Sequence, residues 1–560
     1  MIYLLQLALS ADFCDLRDLA SNLGMEEAQP SIYSELQDVS CCSAQGVTCN
    51  LLSTTVNSVI WSGLGLTGKL QSQYLPGSLT KLDLSKNKIA QMGSLTFPSG
   101  LKNLNLNSNL ITALGGFPSA LIHLDIGNNP LANPPPIVPA SVTYLDFSNI
   151  SLAGISSSIV AGRVYVDLSG NKITGLIPTL PGSLTYLDLN SNKFTGSIPT
   201  LPSGLKYLDL SLNTIRSVLP TTLPAGLTYL NLNGNTLAQR IPTLPSGLTF
   251  LGLNGDESSL GLSGTIPALP SGLLTLQLSF NSLTGSLPLF PTGLKVLDLA
   301  VNLLSGPLPS QFPPGLTFLD VQYNKLSGII PVLPIRLQVG FFSGNLFTGN
   351  IPTPLPNTLT NLALDENKMS GDVPTLPLSL QYLWLGYPGY PGNQFNGSVR
   401  MYKPINLVIN DNYITDVRVT DKTALTSCDL SNNPLLGNLN IAALTMCLKN
   451  GLYSAALPVT ISLSKTTLKT SIATIRSTTT FLKTNFTTAS MQSQSAATLK
   501  YISQNSSPIA TQNTPLSIPI STVALNLNDP TSVEAISSEV EYTEEVVIPD
   551  VLLPIIKSFF

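Results

Sequence analysis

Leucine recurs along this chain in the pattern L-x-x-L-x-L, and an asparagine stands three positions after the last leucine. In Pro178–Ile198, PTLPGSLTYLDLNSNKFTGSI, these positions are Leu184, Leu187, Leu189 and Asn192; in Pro199–Val218 they are Leu205, Leu208, Leu210 and Asn213. The asparagines run Asn87, Asn109, Asn129, Asn171, Asn192, Asn213, Asn235, Asn281, Asn302, Asn324, Asn345, Asn367, Asn393, Asn412 and Asn433. Most steps are 20–22 residues, and Leu64, Ile150 and Leu260 stand where the asparagine is missing, which gives about 18 turns. A repeat of this period indicates a stacked array, in which no single turn can bury its own apolar face.

The pattern predicts one short strand per turn. In L-x-L the leucines fall on one side and the intervening residues on the other, because strand side chains alternate. The asparagine sits in the bend that follows. Its amide can donate to and accept from backbone groups that a buried turn would leave unpaired. The return limb, I-P-T-L-P-S-G, carries two proline columns, including Pro178, Pro199, Pro242 and Pro288 in one and Pro181, Pro202, Pro245 and Pro291 in the other. Prolines so spaced exclude an α-helix and favour extended or polyproline-II backbone.

The unit L-x-x-L-x-L-x-x-N-x-L-x-G-x-I-P, as in Leu184–Pro199, resembles the leucine-rich repeat family in its plant extracellular form. The L-P-x-x-L-x-x-L portion is similar to the short bacterial effector type. The resemblance covers residues 56–440 and implies a leucine-rich repeat solenoid, α/β in family terms, with a parallel sheet on its concave side. The proline columns add the expectation of a convex side with little helix.

Four cysteines, Cys14, Cys41, Cys42 and Cys49, lie within the first 50 residues, and the next is Cys428. Such clustering points to a stapled cap over residues 12–55 and to an oxidising compartment. Free thiols or a metal site are the alternatives, but zinc favours paired C-x-x-C or histidines, and the chain has one histidine, His123. No metal or other cofactor is expected. The sequence DVSCCSAQGVTC resembles the N-terminal cap of polygalacturonase-inhibiting proteins and receptor ectodomains, although the family's tryptophan is absent. That resemblance implies pairing of Cys14 with Cys41 and of Cys42 with Cys49. Cys428 and Cys447 are expected to close a C-terminal cap over residues 441–452.

The ends are less regular. Residues 1–11, MIYLLQLALSA, read as a short secretory signal or as a cap helix, and residues 453–560 as a Ser/Thr-rich stalk or disordered tail. Sequons stand at Asn149, Asn396, Asn485 and Asn505, the last two in the tail. With 43% apolar and 10% charged residues and a net charge of −4, nucleic acid is not an expected partner. No apolar run is long enough for a transmembrane helix. Gly63–Gly68 matches G-x-G-x-x-G but opens the first repeat rather than a helix, so it reads as a turn and not a nucleotide loop.

Counted from the first leucine of each turn, the third and fifth residues share the outward face. The third reads Tyr144, Tyr165, Tyr186, Tyr207, Tyr229 and Phe250, and the fifth reads Asp125, Asp146, Asp167, Asp188, Asp209 and then Asn231. A column of rings beside a column of carboxylates, on strands about 4.8 Å apart, suits a partner. The same columns are also explained by consensus and strand-to-strand stacking. Insertions at Asn254–Gly261 and Gly386–Gly392 add loops to the array. A single histidine leaves a hydrolytic triad only His123, and a regular acid column offers no distinct general acid. The expectation is therefore a secreted or surface recognition protein, not an enzyme, that binds a protein or wall polysaccharide on its concave face. The alternative is a structural or adhesive wall glycoprotein with no discrete site.

Overall fold

The computed structural model describes residues 16–36, 41–50, 55–92, 95–132, 137–155, 157–256, 261–387, 393–402, 405–420 and 428–435. The signal reading of residues 1–11, Cys14, Cys447, the cap at 441–452, the tail from 453 with Asn485 and Asn505, and the centres of both insertions lie outside these residues.

Three short helices, Leu16–Asn22, Met25–Ala28 and Pro30–Glu35, open the described chain. They bury Leu16, Leu19, Leu23 and Met25 against the first turn. The backbone N–H groups of Thr67 and Gly68 donate to the Leu23 carbonyl. A β-carbon on Gly68 would come 1.7 Å from the Asn22 carbonyl oxygen, so glycine is required where the cap crosses the first repeat. Cys42 and Cys49 form a disulfide. Cys41 and Cys428 are disulfide-bonded as well, and the partners expected for them, Cys14 and Cys447, lie outside the described residues.

The main sheet has nineteen strands among the described residues. Val47–Cys49 pairs antiparallel with Val56–Ile60. From Val56–Ile60 to Cys428–Asp429, each strand pairs in parallel with the strand of the next turn. Register follows the repeat: Tyr186 lies opposite Tyr207, Leu187 opposite Leu208 and Asp188 opposite Asp209. The leucines form one continuous core, in which Leu184, Leu187, Leu205 and Leu208 are buried. Burying each such side chain is worth about 1.5–3 kcal/mol, and only neighbouring turns can supply the cover.

Arg163 breaks the leucine rule, because it occupies the first leucine position of its turn and is buried. Its guanidinium donates to the carbonyls of Ile159 (3.2 Å), Pro139 (2.9 Å) and Val142. These carbonyls flank a turn that lacks the P-T-L-P limb and carries a 3-10 turn at Ser157–Ile159 instead.

The return limb is extended and carries little helix, as expected, and part of it is further organised. Residues after the asparagine pair turn to turn in a second ladder, with eight strands from Ser263–Gly264 to Tyr413–Val419 and shorter pairs before it. The second proline of each limb starts a turn: the carbonyls of Pro181, Pro202 and Pro224 accept the N–H groups of Leu184, Leu205 and Leu227. Between sheet and asparagine, the chain repeatedly turns left-handed, with φ of 53° at Ser191, 52° at Leu212 and 53° at Val301.

Candidate functional site

The repeat register places the seven side chains from His123 to Phe250 in one unbroken stack. Successive ring centroids are 4.0 Å apart for His123–Tyr144, 4.1 Å for Tyr144–Tyr165 and 4.0 Å for Tyr165–Tyr186. The series continues at 4.2 Å for Tyr186–Tyr207, 4.3 Å for Tyr207–Tyr229 and 4.3 Å for Tyr229–Phe250. Interplanar angles stay within 9–16°. The rings are half-buried. Inside the column their faces are spent on one another, so edges and hydroxyls meet solvent.

The acid column lies alongside but is less free than an exposed row of carboxylates. Asp125, Asp188 and Asp209 are buried. One carboxylate oxygen of each turns back to its own bend. Asp146 Oδ1 accepts the N–H of Ser148 (2.9 Å) and its hydroxyl (2.7 Å), and Asp209 Oδ1 does the same for Ser211 at 2.9 and 2.6 Å. Asp125, Asp167 and Asp188 close the same turn onto Gly127, Ser169 and Asn190. The D-x-S spacing, visible in the sequence, is the signal for this turn. The second oxygen faces the rings: the hydroxyl of Tyr207 donates to Asp188 Oδ2 at 3.4 Å and that of Tyr229 to Asp209 Oδ2 at 3.3 Å.

Burial and crowding set the protonation of both columns. Burial pushes the Asp125 carboxyl up to about 7, with the neighbouring Asp146 charge adding to it. Burial also pushes Asp188 up to about 7, outweighing the Asn190 N–H and helped by Asp167 and Asp209. Burial raises Asp167 as well. The Tyr186 and Tyr229 phenols are pushed up to about 12 by burial, with the carboxylates beside them contributing. Burial and then Lys81 lower the His123 imidazole, against the pull of Asp146 and Asp83.

Both columns change at the same place. Asn231 and Gly252 succeed Asp209, and Thr275 lies in register beyond Phe250. Asn231 keeps the turn, its Oδ1 accepting the Asn233 N–H at 3.2 Å, and donates to Asp209 Oδ2 at 2.9 Å. The open end of the ring column was readable in the order Tyr229, Phe250, Thr275. Asn149 is exposed on the bend after its strand and donates to Asn128 Oδ1 at 3.0 Å, while Asn396 is exposed on the second ladder. Further along the main sheet, Trp384 Nε1 and Asn410 Oδ1 are the two buried side-chain polar atoms without a hydrogen-bond partner among the described residues. The described residues contain no group of three or more His, Cys, Asp or Glu side chains placed to hold a metal ion. No described helix is long and apolar enough to cross a membrane.

The Leucine Rich Repeat family model matches residues 164–184 and 183–205, two turns within this face. No curated protein matches the chain significantly. Among solved structures, the chain is similar to the leucine-rich repeat ectodomain of the Arabidopsis receptor kinase HAESA, in complex with an N-terminally extended IDA peptide hormone. Identity is 22% over 79% of this chain and 98% of that chain, with a TM-score of 0.56. It is also similar to YopM from Yersinia enterocolitica, at 27% identity over 67% of this chain and 79% of that chain, TM-score 0.50. A TDR receptor matches at 21% identity over 70% of this chain and 92% of that chain, TM-score 0.50.

Proposed function

We propose that this leucine-rich repeat protein is a recognition protein, secreted or held at a cell surface, that takes a protein or peptide ligand along the ring and acid columns of its main sheet. The observation that carries the reading is the joint run of both columns on one face: Tyr144, Tyr165, Tyr186, Tyr207 and Tyr229 beside Asp146, Asp167, Asp188 and Asp209. A row of phenol edges offers contact area at low entropy cost and hydroxyls for hydrogen bonds. The similar HAESA ectodomain, in its complex, holds a peptide ligand. The cap disulfide supports an oxidising compartment.

A polysaccharide ligand fits less well, because sugar faces stack on open ring faces and the inner rings have none. The structural alternative, an array without a discrete site, draws on the same observation: seven stacked rings also hold neighbouring strands together.

The test is a double variant, Tyr186→Ala with Tyr207→Ala, in the full chain. Both side chains stand outside the leucine core, so the variant should fold with unchanged circular dichroism. Protein or peptide ligands captured from a secreted fraction should bind it about tenfold or more weakly. A folded double variant that binds them with unchanged affinity would return the column to a purely structural role.

A further inference from the structure

We propose that the open end of the ring column, at Phe250 and Thr275, is a notch that takes a tyrosine or tryptophan side chain of a peptide ligand. The proposal deepens the recognition role argued above and rests on it, but on residues of its own. From Tyr144 to Tyr229, every ring has another ring on each side at 4.0–4.3 Å. Phe250 has Tyr229 on one side, and on the other its register partner is Thr275, then Val296, before an aromatic residue returns at Phe318. Two ring positions are thus taken by small side chains. With strands about 4.8 Å apart, Phe250 and Phe318 stand roughly 14 Å from each other along the sheet. Thr275 and Val296 are half-buried and floor this interval.

The main chain sets the spacing, so an aromatic ring laid on Thr275 would meet the outer face of Phe250 as the rings of the column meet one another. Offset stacking of this kind is favourable beyond area burial. Beside Phe250 and Thr275 the acid column is interrupted by Asn231, Gly252 and Gln277, and the next carboxylate, Asp298, is held by the Asn254 amide at 3.1 Å and the Ser279 hydroxyl at 3.0 Å. Amides stand there instead. Asn233 Nδ2 donates to Gln277 Oε1 at 2.8 Å, and a β-carbon on Gly252 would lie 2.7 Å from Asn231 Oδ1, so these side chains fill the space over the glycine. Leu274 is exposed on the flank. An apolar ring face with carboxamides at its border suits a neutral aromatic side chain with a polar tip, phenol or indole. A cation would be drawn instead to the carboxylates from Asp146 to Asp209.

The experiment screens the full chain against a displayed random peptide library, with chito-oligosaccharides in parallel. Recovered peptides should be enriched in Trp and Tyr. Replacing that residue by Ala in the peptide, or Phe250→Leu in the protein, should weaken binding about tenfold or more. Thr275→Tyr should do the same while leaving the fold intact, since it places the next ring of the column in the notch. The proposal is overturned if no aromatic-dependent peptide is recovered, if only the oligosaccharide binds, or if aromatic peptides bind Phe250→Leu and Thr275→Tyr as well as the parent. Loss confined to the Tyr186→Ala/Tyr207→Ala variant would sustain the recognition role and remove the notch.

Discussion

The side-chain carbonyl of Asn213 accepts the backbone N–H of Phe194, one turn earlier, at 2.9 Å. Its amide nitrogen reaches the carbonyls of Leu189 and Leu210 at 3.0 Å and of Ser211 at 3.1 Å. One side chain thereby closes its own bend and joins it to the turn before. Asn192, Asn302 and Asn345 repeat the arrangement. The array coheres through this buried polar seam as well as through its leucines.

Removing one asparagine should therefore cost more than its own bonds. Asn213→Ala leaves the Phe194 N–H buried and unpaired, while the Leu189 carbonyl keeps the Asn192 amide at 3.1 Å, at a cost of about 1–3 kcal/mol. Lys193→Ala, at an exposed position, should change stability by less than about 0.5 kcal/mol. Urea denaturation of both variants checks the contrast; equal midpoints would remove the seam from the account of stability.

The leucine core, the asparagine seam and the order of the ring column were legible because one residue type at a constant spacing must meet the same surroundings in every turn. The second ladder was not. K-F-T-G-S and its counterparts lack a period of two over enough residues, and two extended segments pair only if the turns around them stack in register. The tethering of the aspartates could have been read from D-x-S, but their burial could not, because it depends on how closely neighbouring turns stack. Arg163 would be misread as a surface cation from its type alone. Its partners exist only because the turn at Ser157–Ile159 departs from the proline limb and leaves carbonyls facing inward.

Acid should stabilise the array. Asp125 and Asp188 are pushed to about 7 in the folded protein, whereas an unfolded aspartate titrates near 4. Between these values the folded state binds more protons than the unfolded one, so stability falls as pH rises from about 4 through 7. The two groups together should account for a loss of several kcal/mol. In the double variant Asp125→Asn with Asp188→Asn, the turn bonds should survive, as they do at Asn231, and the slope should flatten. Thermal denaturation at pH 5 and pH 8 measures both; a parent protein more stable at pH 8 contradicts the sign.

The left-handed column offers a gain. Val301 has φ of 53°, a conformation that disfavours β-branched residues by about 1–2 kcal/mol. Asn128, Asn149 and Asn432 occupy the equivalent bend with φ of 55°, 52° and 54°, and asparagine tolerates it. Val301→Asn should raise stability by about 1 kcal/mol, seen as a higher urea midpoint with an unchanged slope. A lower midpoint would mean that the valine side chain is worth more in contacts than its backbone costs.

The final prediction sets one asparagine against another. Asn410 is buried, and its Oδ1 has no hydrogen-bond partner among the described residues, although its Nδ2 donates to Asp411 Oδ2 at 2.5 Å. At the matching positions Asp146, Asp167 and Asp209 accept the hydroxyl of a serine two further on, which a serine can supply and the Asn410 carbonyl oxygen cannot. Serine is the usual occupant there, as at Ser343 in an earlier turn and Ser431 in the next. Serine is smaller, and its hydroxyl can rotate to donate to a nearby carbonyl. Asn410→Ser removes a buried acceptor whose desolvation is uncompensated, at the loss of one bond near the surface. The balance should raise stability by about 1 kcal/mol, opposite in sign to Asn213→Ala. If Asn410→Ser instead costs more than about 2 kcal/mol, the lone oxygen is held by a bound water, and the deficit at this end of the main sheet is only apparent.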